Sequence, residues 1–191
     1  MNTTFVKSGL KYFFELVHII VVSLAIVIPI RYFLVQPFYV KGASMEPNFY
    51  DNEYLIIDEI SYRIREPQRG EIVVLKYPND PSQYFVKRVI GLPGETVEVK
   101  DGRVRIYKNG ASVGYFLNEG QYLSNVETSA DKKFNIGENE YFVLGDNRPS
   151  SLDSRVFGPI QAKTIVGRVW LRGWPITRFS VFHTPEYNVI Q

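Results

Sequence analysis

Apolar positions divide the chain into one long N-terminal run and a body of short alternating runs. The long run covers Tyr12–Val35, and its charge-free part is Leu16–Ile30. As a helix, residues 12–35 would measure about 36 Å, enough to cross a hydrocarbon core of roughly 30 Å if Glu15 and Arg31 reach toward the two interfaces. Aromatic residues flank the run, as in an interfacial belt. We therefore expect a transmembrane anchor at 12–35, after an N-terminal tail at 1–11.

Two other interpretations of this segment stay open, a buried helix of a soluble protein and a cleaved signal peptide. No polar face patterns the run, which disfavours the first, and no small-x-small site follows closely, which disfavours the second. Charge does not orient the segment, because Lys7 and Lys11 precede it and Arg31 and Lys41 follow it. Long flanking domains also escape the positive-inside rule.

The rest of the chain, residues 36–191, predicts short strands separated by turns. No amphipathic helix of three turns stands out after the anchor. The β-type runs are Glu53–Asp58, Glu71–Tyr77, Gln83–Gly91, Thr96–Lys100, Arg103–Lys108, Glu140–Leu144 and Thr164–Leu171.

Turn signals separate these runs, at Pro78–Pro81, Leu92–Gly94, Lys100–Arg103 and Asn109–Gly110, and the last two indicate hairpins. The polar stretch Gly114–Gly137 is weakly patterned, and we expect it to be mobile. The sequence therefore predicts a mostly β fold: one β-rich domain with a smaller β subdomain inserted near residues 96–139.

Composition limits the types of active site that the chain can form. The chain has no cysteine, which excludes disulfides, Cys-ligated zinc and a thiol nucleophile. It has two histidines, His18 in the apolar run and His183 near the C-terminus, so a Ser–His–Asp arrangement is poorly supplied. The net charge of +2 indicates no preference for nucleic acid. No His or acidic cluster has ligand spacing, so we expect no metal and no cofactor.

A serine hydrolase without a suitable histidine needs another base, and lysine is the natural candidate. Strand alternation places Lys87 on one face with Phe85 and Val89, and Arg88 on the opposite face. Lowering a lysine pKa to about 8 costs roughly 3 kcal/mol, which apolar neighbours and a solvent-excluding substrate can impose. From the strand pattern alone, a lysine that reaches solvent at a strand edge is the more ordinary interpretation.

Three segments favour the catalytic interpretation of Lys87 over the ordinary one. In chain order they are Lys41–Pro47, Lys87–Glu95 and Gly145–Arg155. Together they resemble the type I signal peptidases, membrane-anchored Ser–Lys proteases, in the compact form found in Gram-positive bacteria. Val169–Pro175, with Trp170 and Trp174, resembles a C-terminal feature of the family, for which core packing and membrane contact are both open. The resemblance is weakest over Gly110–Gly137.

The resemblance implies that Ser44 is the nucleophile and Lys87 its general base. Relatives from Gram-negative bacteria often carry a hydroxyl residue at the position of Gly42 to help hold the oxyanion. Here the oxyanion would depend on backbone N–H groups around Ala43 and Ser44, notably that of Ser44. Met45 would be an apolar contact near the scissile site, although ordinary core filling is equally open.

The resemblance also implies roles for the polar loop at 145–155. The Ser151 hydroxyl would hydrogen-bond the catalytic lysine amine and orient it. Asp153 and Arg155 would brace the loop, and Asp146 would pair with Arg88. An ordinary solvated loop held by local ion pairs is compatible with these assignments.

As a whole, the resemblance implies a single-pass serine endopeptidase of the cell membrane that removes signal peptides from exported preproteins. Its tail would be cytoplasmic and its catalytic domain extracytoplasmic, cutting after Ala-x-Ala type sites, with the lipid bilayer and the export machinery as partners and no nucleic acid. One rival is a soluble self-cleaving Ser–Lys regulator, against which Tyr12–Val35 argues. Another is an inactive anchored adaptor, which the absence of Ser44 or Lys87 would have favoured.

Overall fold

The N-terminal unit contains one long helix. The structure, a computed structural model, describes residues 3–29, 36–124, 127–185 and 187, and divides into the units Met1–Gln36 and Pro37–Gln191. Helix α1 covers Thr3–Pro29. Its segment Lys11–Ile28 has a mean hydropathy of 2.1, so it is long and apolar enough to cross a membrane. None of this segment is buried against the rest of the protein. A buried core helix would be mostly covered, whereas a signal sequence would have the same appearance.

The helix begins earlier than the predicted anchor. Residues 3–11 of the expected tail are already helical, and no proline interrupts the chain before Tyr12. Residues 30–35 of the predicted anchor lie outside the described part of the chain.

The larger unit is built mostly from β-structure, as predicted. Its strands are β1 (Gln36–Tyr39), β2 (Tyr54–Asp58), β3 (Ile72–Tyr77), β4 (Asp80–Gly91), β5 (Thr96–Lys100), β6 (Arg103–Tyr107), β7 (Tyr115–Phe116), β8 (Lys132–Asn135), β9 (Glu140–Leu144), β10 (Ile160–Gln161), β11 (Ile165–Trp174) and β12 (Ser180–Val181). Within the described residues, β1-β2-β11-β3-β4-β9-β10 form the main sheet, with β12 also on β11, and β7-β6-β5-β8 form a second sheet. Two one-turn helices, α2 (Ser61–Ile64) and α3 (Ser154–Phe157), accompany them.

Some strands are longer than predicted. In one case the turn uses fewer residues than the stretch of turn-forming residues suggested. β4 begins at Asp80, inside the predicted turn, because Tyr77 pairs with Asp80 across only two residues. β11 continues to Trp174 through two register shifts. The strands that the sequence missed have two to four residues, too few to show an alternating pattern.

The two predicted hairpin turns behave differently. Asp101 and Gly102 have φ of 51° and 75°, and Lys100 pairs with Arg103, as a two-residue hairpin of the primed type requires. Asn109–Gly110 instead lies in a longer loop, because the β6–β7 ladder pairs Ile106 with Tyr115.

The second sheet shares its core with the main sheet. Ile90 of β4 and Phe142 of β9 pack with Val97 and Ile106 of the second sheet in one buried cluster. The stretch 114–137, expected to be mobile, contributes β7, β8 and the buried Leu117 and Thr128 in its described part. Apolar side chains are too few in this stretch to show a periodic pattern. The buried ones nevertheless pack the stretch against the core.

Candidate active site

Ser44 and Lys87 meet where strand β4 passes from solvent into the core. Ser44 lies in the turn after β1, and Lys87 pairs with Val73 in the β3–β4 ladder. Lys87 Nζ lies 2.7 Å from Ser44 Oγ and donates a hydrogen bond of 3.0 Å to the carbonyl oxygen of Val86. The lysine is 3% exposed. A buried amine therefore contacts a serine hydroxyl at proton-transfer distance.

Burial sets the protonation of this amine. Burial lowers the pKa of Lys87 to about 8, although the nearby carboxylates of Asp153 and Asp146 oppose the shift. Nζ lies 5.1 Å from the centre of the Phe85 ring, and Phe85 and Val89 share one core cluster on this face of β4. With a pKa of about 8, about a tenth of the lysine is neutral at pH 7, against fewer than about one in a thousand for an exposed lysine.

The loop after β9 holds the backbone of the Ser44 turn. The Asn147 N–H donates to the Ser44 carbonyl oxygen over 3.0 Å, and Asn147 Nδ2 donates to the Ala43 carbonyl oxygen over 3.0 Å. The Asp146 N–H contacts Met45 Sδ at 3.4 Å. Met45 is buried in the core under β2 and β3, so it fills the core and also contacts this loop.

Because Gly145 has no side chain, the loop after β9 can lie close to the Ser44 turn. A Cβ at Gly145 would lie 2.1 Å from Ser151 Oγ and 2.5 Å from the Ser44 carbonyl oxygen. Real side chains do not come so close, so the position accepts glycine alone without displacement of the serine turn.

Arg88 and Asp146 form a buried ion pair beside the dyad. Arg88 Nε and Nη2 donate to the two Asp146 oxygens over 2.8 and 2.6 Å. Asn48 Nδ2 donates to the same carboxylate over 2.8 Å, and Arg88 Nη1 donates to the Gly70 carbonyl oxygen over 2.9 Å. Burial opposes the charge of Arg88, but the hydrogen bonds and charge of Asp146 outweigh it and raise the arginine pKa. This is the contact that the family resemblance implied.

Asp153 and Arg155 form a second pair, which closes the loop. Arg155 Nε and Nη2 each donate to Asp153 over 2.8 Å. The same carboxylate caps the start of α3 by accepting a hydrogen bond from the Arg155 N–H. The Gly145 N–H also donates to Asp153, over 3.0 Å. Asp153 therefore ties both ends of the loop together.

The predicted hydrogen bond between Ser151 and the lysine amine is not formed. Ser151 Oγ is buried and has no hydrogen-bond partner among the described residues. It lies beside Gly145 and the Ser44 carbonyl, while the lysine amine is directed to Ser44 Oγ and the Val86 carbonyl. The structure thus places Ser151 next to the dyad without the orienting contact.

The backbone conformation explains why glycine occupies position 42. Its φ is +92°, which favours glycine, and its N–H donates to Asp51 Oδ1 over 2.7 Å. No atom lies within 4 Å of a Cβ added there, so conformation and not space selects glycine. With this N–H engaged by Asp51, an oxyanion would have to use other donors.

Sequence reasoning missed Arg148 and its partners. Arg148 is 2% exposed, pairs with Glu119 and Thr128 of the stretch expected to be mobile, and donates from Nε to the Gly145 carbonyl oxygen over 3.1 Å. Arg155 Nη2 donates to the Arg148 carbonyl oxygen over 2.6 Å. The only signal was an unassigned arginine inside the polar loop.

A cleft of about 310 Å³ opens at the dyad. Residues 38–45 and 84–87 line it, together with Val74, Ser150 and Leu152. Among the described residues, no group of three or more His, Cys, Asp or Glu side chains could hold a metal ion.

The two tryptophans of the C-terminal segment face outward. Trp170 is 42% exposed and Trp174 53% exposed, so the core-packing interpretation does not hold for either ring. Trp174 pairs with Tyr54 across the β11–β2 ladder, and Pro175 leads into a single 3-10 turn.

Comparison with known proteins identifies the family. The family model described as "Signal peptidase, peptidase S26" matches residues 13–174. The chain belongs to this signal peptidase family. It is therefore a hydrolase, a serine-type endopeptidase of the signal peptidase I kind.

Two curated relatives agree with this assignment. The chain is 38% identical over 173 residues to a probable signal peptidase I-2 of Synechocystis, covering 87% of this chain and 76% of the relative. It is 36% identical over 189 residues to signal peptidase IB of Staphylococcus aureus, covering 92% and 97%. A crystal structure of a signal peptidase I from Enterococcus faecalis matches with 35% identity and a TM-score of 0.43, covering 56% of this chain and 98% of that one.

Proposed function

We propose that the chain removes signal peptides from exported preproteins, with Ser44 as nucleophile and Lys87 as general base. The observation that carries the proposal is the 2.7 Å contact between Ser44 Oγ and a buried lysine amine whose pKa is lowered to about 8. A neutral amine at that distance can take the hydroxyl proton, and a buried amine is neutral far more often than an exposed one.

The reaction would proceed in two halves. Ser44 Oγ attacks the scissile carbonyl carbon while Nζ of Lys87 takes its proton, and the Ser44 N–H donates to the oxyanion that forms. When the C–N bond breaks, the lysine returns the proton to the leaving amine. Water then attacks the ester with Lys87 as base, which releases the carboxylate product and restores the hydroxyl.

The substrate would bind as an added strand on β4. On the side that faces β9, β4 is paired only from Arg88 onward. Among the described residues, no other strand pairs with that side between Asp80 and Val86, and the side chains from Pro81 to Tyr84 are exposed. That edge borders the cleft at Ser44. An extended peptide could take up these backbone groups as an antiparallel or parallel neighbour.

The cleft supports a preference for small side chains. In an extended peptide, residues two apart face the same side, so the first and third residues before the cut would enter the cleft together. Aromatic side chains narrow it, with the rings of Phe38 and Tyr84 in edge contact at 5.4 Å. Two residues of alanine size would fit a volume of about 310 Å³ shared with the scissile peptide.

Helix α1 would anchor the enzyme in the cell membrane as a single span. Its 18-residue apolar window corresponds to about 27 Å, close to the hydrocarbon thickness. The catalytic domain would lie on the extracytoplasmic face, where preproteins emerge from the export machinery. The lipid bilayer would then be a permanent partner of α1.

The proposal is tested with the full chain in detergent and a preprotein carrying an Ala-x-Ala site. We expect one cut directly after the second alanine, identified by mass spectrometry of both products, and no cut by Ser44→Ala. A matched preprotein with leucine in place of that alanine should stay intact. Cleavage at unrelated positions, or equal cleavage by Ser44→Ala, would refute the assignment.

A further inference from the structure

The last described residues form a strap against the loop that leads into β3. We call residues 182–185 and 187 the C-terminal strap. The Phe182 N–H donates to the Trp170 carbonyl oxygen over 2.8 Å, and Thr184 Oγ1 donates to Glu71 Oε1 over 3.3 Å. The strap lies outside the part of the chain that the family match covers, which ends at residue 174.

The end of the strap presses on Gly70. A Cβ at Gly70 would lie 2.5 Å from Pro185 Cγ and 2.7 Å from Tyr187 Cε2, and the φ of +86° also favours glycine. The Gly70 carbonyl oxygen accepts a hydrogen bond of 2.9 Å from Arg88 Nη1. Gly70 therefore contacts both the strap and the guanidinium of the buried ion pair.

Tyr187 also contacts the second group that flanks this guanidinium. Tyr187 Oη donates to Tyr122 Oη over 3.1 Å, and Tyr122 Oη donates to Glu119 over 2.8 Å. The guanidinium carbon of Arg88 lies 3.9 Å from the centre of the Tyr122 ring. Tyr187 thus contacts both Gly70, whose carbonyl oxygen accepts from Arg88, and Tyr122, whose ring lies against the guanidinium.

We propose that Tyr187 is a positioning residue for the Ser44–Lys87 dyad, acting through Arg88. The inference rests on the proposed function. Arg88 follows Lys87 directly in β4, and its partner Asp146 belongs to the loop that hydrogen-bonds the Ser44 turn. Loosening Gly70 and Tyr122 would let Arg88 and Asp146 shift, and both members of the dyad would then lose their alignment.

The test compares kcat and KM of three variants of the full chain in detergent, with one peptide substrate, below the melting temperature of every variant. Tyr187→Ala should lower kcat at least about tenfold with KM within about twofold, because misplacing reacting groups by 1 Å can cost about a hundredfold in rate while the binding cleft is untouched. Tyr187→Phe keeps the ring on Gly70 and should retain kcat within about threefold. Tyr187→Leu keeps an apolar side chain on the core, and serves if the alanine variant does not fold; its kcat should fall as for alanine.

Tyr115→Ala is the matched control. Tyr115 packs on the same core cluster from β7, so its loss should lower the melting temperature to a similar degree while kcat stays within about twofold of the unmodified chain. An unchanged kcat in Tyr187→Leu, or an equal loss of kcat in Tyr115→Ala, would overturn the inference. If the unmodified chain does not cleave at all, the proposed function fails instead.

Discussion

The Asn147 N–H donates to the Ser44 carbonyl oxygen over 3.0 Å, so the loop after β9 fixes the backbone of a residue far earlier in the chain. The same loop carries Asp146, which pairs with the arginine next to Lys87. Both partners of the 2.7 Å contact between Ser44 and Lys87 are thus aligned by one segment.

Ser44→Ala and Lys87→Ala should each lower kcat by about a thousandfold or more while the protein stays folded, because nucleophile and base act as one unit. For the same reason, the double variant should be little worse than either single one. Lys76→Ala removes an exposed lysine from neighbouring β3 and should leave kcat unchanged. Turnover is measured on a preprotein, with circular dichroism to confirm folding. Near-normal turnover by Lys87→Ala would show that another group is the base.

The rate should depend on pH through the lysine amine. Because burial lowers the pKa of Lys87 to about 8, the amine is protonated below that pH and neutral above it. The base must be neutral, so kcat/KM should rise about tenfold per pH unit up to about pH 8 and then level off.

Phe85→Ser should move that rise to higher pH, since water admitted at the ring position stabilises the ammonium form. Phe134→Ser removes a ring from the other sheet and should leave the pH of the rise unchanged. The measurement is a pH–rate profile of the three proteins on one peptide. An identical profile for Phe85→Ser would mean that this ring does not desolvate Lys87.

The surroundings of a site residue could be predicted from the sequence where local contacts determine them. They could not be predicted where the contacts join distant parts of the chain. Alternation along β4 was sufficient to place Lys87 with Phe85, because a strand fixes its own faces. Arg148 could not be assigned, since its partner Glu119 comes from a polar stretch without periodicity. Ser151 shows a different limit: the motif implied a hydrogen bond to the lysine amine, whereas the structure leaves the Ser151 hydroxyl without a partner among the described residues.

The Arg88–Asp146 pair should be essential to stability only as a pair. Arg88→Leu alone leaves a buried carboxylate without its cation, and should lower the free energy of unfolding by roughly 3–5 kcal/mol. Combining it with Asp146→Leu should cost clearly less than the sum of the two single changes, because no charge is then left unpaired.

Arg168→Leu offers a comparison, since its pair with Asp58 is partly solvent-exposed and should contribute about 1 kcal/mol at most. Urea unfolding of the four variants gives the coupling free energy of the buried pair. Additive losses for Arg88 and Asp146 would show that the two side chains do not act on each other.

Gly145→Ala should inactivate the enzyme with little loss of substrate binding. The added Cβ would lie 2.1 Å from Ser151 Oγ and 2.5 Å from the Ser44 carbonyl oxygen, and the second of these is backbone that cannot rotate away. The Ser44 turn must therefore shift, and we expect kcat to fall about a hundredfold with KM within about threefold. Replacing Ser151 with glycine as well removes only the first clash, so the double variant should remain impaired. Gly173→Ala, where a Cβ meets nothing closer than 3.8 Å, is the control and should keep kcat. Full rescue of Gly145→Ala by Ser151→Gly would show that the loop acts on Ser151 and not on the serine turn.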